Sequence, residues 1–243
     1  MYTVYIGLFV LGVAAGYLWR RAIAHCEAAQ GANWGGKWLN RLDGLNRLIC
    51  HRFPRLQHDP IRLPATGPAL LVANHVSGLD PLLMIAASPR PLRFIIAREE
   101  YQRFGFAWLF RAIGCIPIER SANPRRALKA TVEALARGEV VALFPHGRIH
   151  LDRNGPGTLK RGIVYLAKTS GAPVYPLRID GVRGEGRTII AVTMRSRARI
   201  RVFKRLHYAD EAPEQLLETL AKLLGNDEFT TDAGLKNPGR APE

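Results

Sequence analysis

The chain has 243 residues, of which 47% are hydrophobic and 23% are charged, with 23 glycines and 16 prolines spread along it. This composition excludes a fibrous or intrinsically disordered protein and predicts one folded domain of ordinary size, with at most a small appendage. The formal charge is +15, from 35 Lys and Arg against 20 Asp and Glu. Such an excess favours an anionic partner: a phospholipid surface, nucleic acid or a phosphorylated substrate.

Three cysteines, Cys26, Cys50 and Cys115, are too few and too irregular to build a scaffold. Their number is odd and no C-x-x-C pair occurs, so neither a disulfide framework nor a cysteine zinc site is predicted. The pattern is typical of a protein in a reducing compartment.

The N-terminus begins with an apolar run, "YTVYIGLFVLGVAAGYLW", that has no charge from Tyr2 to Trp19 and is followed at once by Arg20 and Arg21. A run of about 18 residues is at the short end for a membrane-spanning helix. A cleaved signal peptide would carry its positive charge before the run, not after it. The run therefore predicts a membrane anchor with a cytoplasmic body; the alternative is a helix buried against the domain.

The stretch "WGGKWLNRLDGLNRLICHRF" predicts a basic amphipathic helix. Two interpretations stay open, a helix lying on an anionic membrane and a helix packed on the domain with its charges in solvent. The apolar residues at helical spacing are Trp38, Leu42, Leu45, Leu48 and Ile49, and the basic ones between them are Lys37, Arg41, Arg47 and Arg52.

From Pro68 onward, short apolar runs alternate with helical patterns. The runs predict buried strands, and they are "PALLVANH", "LRFIIA", "GCIPIER", "EVVALFP" and "APVYPLRI". The predicted helices are 80–87, 101–113, 124–137 and 160–169. We therefore expect an α/β fold, a central mostly parallel or mixed sheet flanked by helices, with an N-terminal membrane-associated helical segment. The expected divisions are 1–58 for the anchor and amphipathic helix, 59–224 for the α/β domain and 225–243 for a loosely ordered tail.

A later segment, "RTIIAVTMRSRARIRVF", alternates as an extended strand does. Arginines 195, 197, 199 and 201 share one face, and Met194, Ala198, Ile200 and Val202 share the other. This row of arginines would suit anionic head groups or an acidic carrier, although a solvated face is the commoner meaning of such a row.

Polar residues follow several predicted strands, at the edge where open α/β sheets bind ligands. Asn74, His75 and Asp80 follow the first strand, Arg120 the third and His146 the fourth. A histidine there can act as a general base, a nearby carboxylate can fix its tautomer, and an arginine suits a phosphate. Each residue taken singly also has an ordinary structural explanation, such as loop capping for the His and Asp pair.

In combination these residues resemble the glycerolipid acyltransferases, the lysophosphatidic acid acyltransferase family. "NHVSGLDPLLMIAA" is similar to the family's N-H-x-x-x-x-D block, and "RFIIAREEYQRFGFAWLFRAIGCIPIERS" to its second block. "LFPHGRIH" falls where the family has Phe-Pro-Glu-Gly, and "TLKRGIVYLA" and "APVYPLRIDG" resemble the blocks that follow. The resemblance covers residues 60–182, in the family's order.

The resemblance implies an O-acyltransferase that moves a fatty acyl group from acyl-CoA or acyl carrier protein, as co-substrate, to a hydroxyl of a lysophospholipid such as 1-acylglycerol-3-phosphate. It implies His75 as general base and Asp80 as the residue that orients it, with Ser77 structural and no covalent acyl-enzyme. Backbone N–H groups near Gly147 would stabilise the oxyanion. The substrate-binding residues implied are Asn74, Arg120, His146, Gly147, Arg148, Lys160 and Arg161. No other cofactor is expected.

The partners implied are membrane lipid and the acyl carrier, at a bacterial inner membrane with the catalytic domain on the cytoplasmic face. Nucleic-acid binding through the basic surface is a competing hypothesis, which the apolar N-terminus and the lack of a nucleic-acid motif disfavour. No oligomeric state is predicted.

The chain departs from the family at His146, where the family has glutamate, and at Arg148 and Ile149, where it has Thr-Arg. An imidazole removes a fixed negative charge and offers a donor, so the acceptor could be another lysolipid, or the chain a catalytically altered lipid-binding member. A metal site at His146 and His150 is not predicted, because Pro145 and Gly147 prevent the continuous helix that such an i, i+4 pair needs.

Overall fold

The structure, a computed structural model, describes residues 2–102, 105, 107–119, 124–151, 157–185, 194–210 and 212–225. Within these residues eight α-helices and seven strands occur. The helices are α1 Tyr2–Ala29, α2 Lys37–Arg52, α3 Asp80–Ala87, α4 Arg98–Tyr101, α5 Ala107–Ala112, α6 Arg125–Ala136, α7 Gly162–Ser170 and α8 Pro213–Leu224. The strands are β1 Gln57–His58, β2 Ala69–Ala73, β3 Leu92–Ala97, β4 Ile116–Ile118, β5 Val140–Leu143, β6 Val174–Asp180 and β7 Arg199–Val202.

The strands form one mixed sheet in the order β1-β7-β6-β2-β5-β3-β4. All neighbouring strands are parallel except β6 and β7, which are antiparallel. The predicted α/β fold is confirmed, and each of the five apolar runs forms a strand. Because β2, β5 and β6 run in the same direction side by side, the loops after them meet at one carboxyl edge of the sheet.

Helices cover both faces of the sheet, which explains the continuous apolar runs of its central strands. Every residue of β2 is buried. Leu71 packs with α2 and α3 on one face, and Leu70 with α6, α7 and α8 on the other. Each such leucine stabilises the fold by about 1.5–3 kcal/mol relative to leaving it exposed. The two helix layers hold the sheet rigid beneath its carboxyl edge.

Two expectations differ in detail from the structure. The predicted helix 101–113 is wrong as one element, because Gly105, at a φ of +85°, separates α4 from α5. The predicted long strand around the arginines is assigned only over Arg199–Val202, and residues 187–193 lie outside the described residues. The sheet begins at Gln57, and the predicted division between residues 58 and 59 stays a prediction. The predicted tail lies outside the described residues after Gly225.

Helix α1 stands clear of the sheet and exposes its apolar side chains along its length. Residues Val4–Ala29 are long and apolar enough to cross a membrane, and none of their most apolar window is buried within the protein. The alternative of an N-terminal helix buried against the domain is therefore wrong. The exposed large apolar residues of α1 are Tyr2, Val4, Tyr5, Ile6, Leu8, Phe9, Val10, Leu11, Val13, Tyr17, Leu18 and Trp19.

Helix α2 forms as predicted and joins α1 to the α/β domain. The buried Asp43 carboxylate accepts the backbone N–H of Gly31 at 2.8 Å, in the α1–α2 connection, and Arg47 Nε at 2.9 Å. The Arg47 guanidinium also donates to the carbonyls of Ala86 at 2.6 Å and Ser88 at 2.5 Å, at the end of α3. The ion pair of Asp43 and Arg47 thus fixes the two N-terminal helices to α3.

Candidate active site

The loop between β2 and α3 wraps around one buried carboxylate. Asp80, the first residue of α3, has no exposed surface. Its Oδ2 accepts His75 Nδ1 at 2.8 Å and the backbone N–H groups of Val76 at 2.7 Å and Ser77 at 2.9 Å. Its Oδ1 accepts the Ser77 hydroxyl at 2.8 Å. All four groups bonded to the carboxyl oxygens are donors, and the positive end of the α3 dipole favours a negative charge at this position.

The bond to Asp80 decides which nitrogen of His75 is reactive. An ionised carboxylate only accepts, so the proton of the neutral imidazole lies on Nδ1 and Nε2 carries the lone pair. The His75 side chain retains 18% exposure, so a ligand at the carboxyl edge can reach it. His75 and Asp80 therefore form a proton-accepting pair, which we call the dyad.

Phe144, which follows β5, packs on the dyad. Its ring is stacked on the His75 imidazole with centroids 4.0 Å apart and an interplanar angle of 13°. Phe94 of β3 lies behind it at 6.3 Å. His150 donates its backbone N–H to the His75 carbonyl at 2.7 Å. The imidazole is thus fixed on two sides before any substrate binds, which is the preorganisation that proton transfer requires.

Asn74 is buried and bonded to the neighbouring strand rather than directed towards the edge. Its amide nitrogen donates to the Ile179 carbonyl at 2.9 Å, and its amide oxygen accepts the Ile179 N–H at 2.7 Å. These are the contacts of a residue that positions the His75 loop on β6. The predicted role of Asn74 in substrate binding stays a prediction, and the side chain reaches substrate only through that loop.

The segment after β5 turns sharply at Gly147. The Gly147 N–H donates to the Phe144 carbonyl at 2.9 Å and its φ is +71°, a conformation that favours glycine. The side chain of Lys160 covers this turn, since a Cβ on Gly147 would lie 2.8 Å from its Cε. The Lys160 N–H donates to the Pro145 carbonyl at 2.9 Å. The fold therefore brings together two residues, Gly147 and Lys160, that the sequence predicted for the substrate site.

His146 and His150 lie side by side in the same loop. Their rings are stacked with centroids 4.7 Å apart and an interplanar angle of 15°. A Cβ on Gly157 would lie 2.5 Å from His146 Cδ2 and 2.7 Å from His150 Nε2, so the backbone approaches both rings closely. Neither histidine is on a helix, and no group of three or more metal-ligating side chains occurs among the described residues.

The other predicted substrate residues are arranged around this loop or lie outside the described residues. Arg148 is exposed beside Gly147, and Arg161 is exposed just before α7. Arg120 lies outside the described residues, so its predicted role stays a prediction. Sequence reasoning missed the stacking of Phe144 on His75. The aromatic residue directly after a buried strand was the available signal.

Nucleophiles other than the substrate are suppressed near the dyad. Burial raises the pKa of Cys50 and of Cys115 to about 12, so both are neutral thiols at physiological pH. The Ser77 hydroxyl is fully buried and donates to Asp80, which leaves no base to activate it. The arrangement suits a general base that activates a hydroxyl of a bound molecule.

Comparisons with known proteins point to one family. A family model described as Acyltransferase matches residues 56–180. The probable 1-acyl-sn-glycerol-3-phosphate acyltransferase of Mycoplasma genitalium is 34% identical over 126 residues, 49% of this chain and 46% of that protein. Its counterpart by name in Mycoplasma pneumoniae is 35% identical over 136 residues, 52% of this chain and 49% of that protein. The chain therefore spans about half the length of these relatives.

Two further proteins are similar over longer stretches. The 1-acyl-sn-glycerol-3-phosphate acyltransferase of Bacillus subtilis is 24% identical over 162 residues, 66% of this chain and 78% of that protein. The crystal structure of the 1-acyl-sn-glycerophosphate (LPA) acyltransferase PlsC from Thermotoga maritima has a TM-score of 0.57 at 18% identity. It covers 87% of this chain and 88% of its own. At that identity the structural likeness concerns the fold.

Proposed function

Because this chain belongs to the acyltransferase family, whose model matches residues 56–180, we propose that it moves a fatty acyl group from an acyl thioester to a hydroxyl of a lysophospholipid. The observation that carries the proposal is the dyad, in which the buried Asp80 carboxylate accepts a hydrogen bond from His75 Nδ1 while the imidazole side chain stays partly exposed. The printed names of the relatives favour 1-acylglycerol-3-phosphate as the acceptor.

The proposed reaction uses His75 first as a base and then as an acid. Nε2 takes the proton of the acceptor hydroxyl while its oxygen attacks the thioester carbonyl carbon, and a tetrahedral oxyanion forms. When the oxyanion collapses, the carbon–sulfur bond breaks and the departing sulfur takes the proton from Nε2. Asp80 stabilises the imidazolium between these steps through its bond to Nδ1.

We propose that the acyl group passes directly from the thioester to the acceptor, because the protein's nucleophilic side chains in the domain core are not activated. Ser77 holds Asp80, and Cys50 and Cys115 are protonated thiols, so none of these three side chains is activated to take the acyl group. Donor and acceptor would then be bound together. Acyl-CoA or acyl carrier protein serves as co-substrate in this proposal, with no further cofactor.

The loop of Gly147 and Lys160 is proposed to hold the charged part of the substrates. The ammonium of Lys160, packed on the Gly147 turn, suits an acceptor phosphate or the developing oxyanion. Arg148 and Arg161 are exposed cations next to the same loop. The proposal also keeps Arg120 as a phosphate ligand, on the strength of the resemblance alone.

His146 supports a narrower second candidate, in which the acceptor is a different lysolipid. It occupies the place of a family glutamate and stacks on His150 beside the Gly157 backbone, so the acceptor would meet an imidazole where a carboxylate is usual. A panel of lysolipids with phosphate, glycerol, ethanolamine and choline head groups, each offered with acyl-CoA and with acyl carrier protein, separates the two candidates by product mass.

The exposed apolar α1 supports a location at a membrane, which we propose is a bacterial inner membrane with the α/β domain on its cytoplasmic side. Arg20 and Arg21, which follow the most apolar part of α1, favour that orientation. A membrane location suits an acceptor and a product that both carry acyl chains.

The test of the reaction is His75→Ala in the reconstituted full chain. Removing a general acid–base residue is expected to lower kcat by about 10²–10⁴-fold. Transfer from a radiolabelled acyl thioester is measured, with thermal unfolding to confirm the fold. His58→Ala, at an exposed position in β1, is the matched control and should retain parental transfer. Full activity in His75→Ala would remove the dyad from the mechanism.

A further inference from the structure

Four arginines form an exposed row that the proposed reaction does not use. We call Arg195, Arg197, Arg199 and Arg201 the arginine row; all four are exposed. Arg201 pairs with Asp180 at 2.8 Å, and no carboxylate among the described residues forms an ion pair with the other three. The row keeps its geometry because the residues between the arginines are anchored inside, and these are Ser196, Ala198 and Ile200.

The arginine row lies at the same edge of the sheet as the dyad. Arg199 is opposite Asp180, the last residue of β6, and the Arg197 N–H donates to the Gly181 carbonyl at 3.3 Å, just beyond that strand. Ile179 of the same strand end is the residue to which Asn74 bonds, one position before His75. Three uncompensated positive charges therefore stand beside the entrance to the proposed active site.

The row also adjoins the end of α2. The Ser196 N–H donates to the Phe53 carbonyl at 3.3 Å, and the Ala198 N–H to the Pro54 carbonyl at 2.8 Å. Phe53 is exposed and directly follows α2. The row is therefore fastened to the residues through which the N-terminal helices enter the domain.

Helix α2, which packs on the other face of the sheet, also has exposed apolar side chains. Trp38, Leu45 and Leu48 share one side of α2 and are exposed. Trp38 lies against the exposed Trp108 of α5, with ring centroids 5.0 Å apart. Tryptophans and basic residues at the border of an apolar surface are typical of the interface between a bilayer and water. Helix α1, which precedes α2, is exposed and apolar along its length.

We propose that the arginine row is a docking surface for the anionic head groups of a phospholipid bilayer, and that it holds the dyad edge of the sheet against the membrane. Guanidinium groups form paired hydrogen bonds with phosphate oxygens, and their charge draws them to an anionic surface. An acidic protein fits the charge equally well, but it would leave the exposed apolar length of α1 uncovered. The inference rests on the proposed membrane association and is independent of the acyl-transfer reaction.

The first test labels arginines in the full chain reconstituted in vesicles, without acyl donor or acceptor. Phenylglyoxal modification is measured at each arginine by mass spectrometry, in phosphatidylcholine vesicles with and without 30 mol% phosphatidylglycerol, roughly a physiological anionic content. Arg195, Arg197 and Arg199 are expected to be protected only when the anionic lipid is present. Arg137, exposed at the end of α6 beside the start of β5 and therefore at the other edge of the sheet, should react equally in both and is the internal reference.

The second test compares two variants that each lose three positive charges. Arg195→Gln/Arg197→Gln/Arg199→Gln removes the row, and Arg126→Gln/Lys168→Gln/Lys222→Gln removes exposed charges from α6, α7 and α8. Binding is expressed as the ratio of affinities for the two vesicle compositions, in which the contribution of α1 cancels. In the row variant this ratio should fall about a hundredfold, which corresponds to about 3 kcal/mol, or about 1 kcal/mol per arginine. In the control variant the ratio should fall far less.

Three outcomes would overturn the inference. Equal labelling of the row in both vesicle types would show that lipid charge does not reach it. Protection of the row only after addition of acyl carrier protein to neutral vesicles would assign it to an acidic protein instead. Failure of the parent chain to float with vesicles of either composition would remove the membrane association as well, while transfer assayed in detergent would still decide the proposed reaction.

Discussion

Two buried aspartates, Asp80 and Asp43, have similar surroundings but different roles. Each is almost completely buried, accepts backbone N–H groups from a neighbouring loop and contacts one basic side chain. The partner of Asp80 is His75, and the partner of Asp43 is Arg47. Histidine releases and regains a proton near neutral pH, whereas arginine stays charged, so only the first pair can take part in proton transfer.

The two pairs also occupy opposite ends of one short helix. Asp80 begins α3, where the helix dipole is positive, and Arg47 of α2 binds the carbonyls at its other end, where the dipole is negative. We call Asp43 and Arg47 the architectural pair, and His75 and Asp80 the chemical pair. The architectural pair fixes α3, the helix on which the chemical pair depends. Burial and the number of hydrogen bonds therefore do not identify a catalytic carboxylate. A titratable partner such as histidine does.

The largest effect is expected from Asp80→Asn, which alters the chemical pair. If the amide NH₂ of the asparagine faces Nδ1, the imidazole proton moves to Nε2 and the base is lost. A fall in kcat of about 10⁴-fold is expected, by analogy with tautomer reversal in a Ser-His-Asp triad. Steady-state transfer from a labelled thioester measures it, and Asp59→Asn, at an exposed carboxylate, is the control. A fall below tenfold would remove Asp80 from the mechanism.

Arg47→Met tests the architectural pair. The change leaves the Asp43 carboxylate buried without its cation and the carbonyls at the end of α3 without donors. Breaking a buried pair in this way lowers the free energy of unfolding by about 3–5 kcal/mol. Thermal unfolding in detergent measures the loss, and kcat of the folded fraction should stay within a few-fold of the parent.

The comparison of Arg47→Met with Asp80→Asn is the informative measurement. If kcat of Arg47→Met fell by a hundredfold or more at temperatures where the variant remains folded, the stabilising role of one pair could not be separated from the catalytic role of the other. Arg41→Met is its control on the same helix, since Arg41 pairs with Glu27 at a half-exposed site and such pairs contribute about 0–1 kcal/mol.

Ser77→Ala should have a smaller effect, because it makes Asp80 resemble Asp43. The hydroxyl of Ser77 is the donor to Oδ1 of Asp80, and the corresponding Oδ1 of Asp43 is buried without a hydrogen-bond partner among the described residues. A lost bond to a charged group costs about 1.5–3 kcal/mol. We expect the free energy of unfolding to fall by that amount and kcat to fall no more than about tenfold. Loss of kcat comparable with Asp80→Asn would instead assign Ser77 a role in the chemistry.

The strands, the order of the helices and the dyad could be predicted because they are local. Five apolar runs dictate buried strands, and His75 and Asp80 are separated by one loop. The stacking of Phe144 on His75, the bond of Asn74 to Ile179 and the cover of Gly147 by Lys160 join residues far apart in the chain. Such contacts depend on strand order, which the apolar pattern does not encode. The Asp43 and Arg47 pair is local, but its burial was not predicted, because an i, i+4 ion pair on a helix is usually exposed.

The smallest effect at neutral pH concerns Cys50, whose thiol lies beside Leu82 and Asn46 in the interface between α2 and α3. Burial raises its pKa from 9.0 to about 12. Because the folded state keeps the proton that the unfolded chain releases, the stabilisation is fully present below pH 9 and is lost as the pH rises towards 12. The thermal midpoint of the parent should therefore fall more steeply between pH 9 and 11 than that of Cys50→Ala, although Cys115, whose pKa is also raised, gives both proteins the same background slope. Equal slopes of the thermal midpoint against pH in the two proteins would mean that water reaches the α2–α3 interface. The Asp43 and Arg47 pair in that interface would then be less buried than the His75 and Asp80 pair.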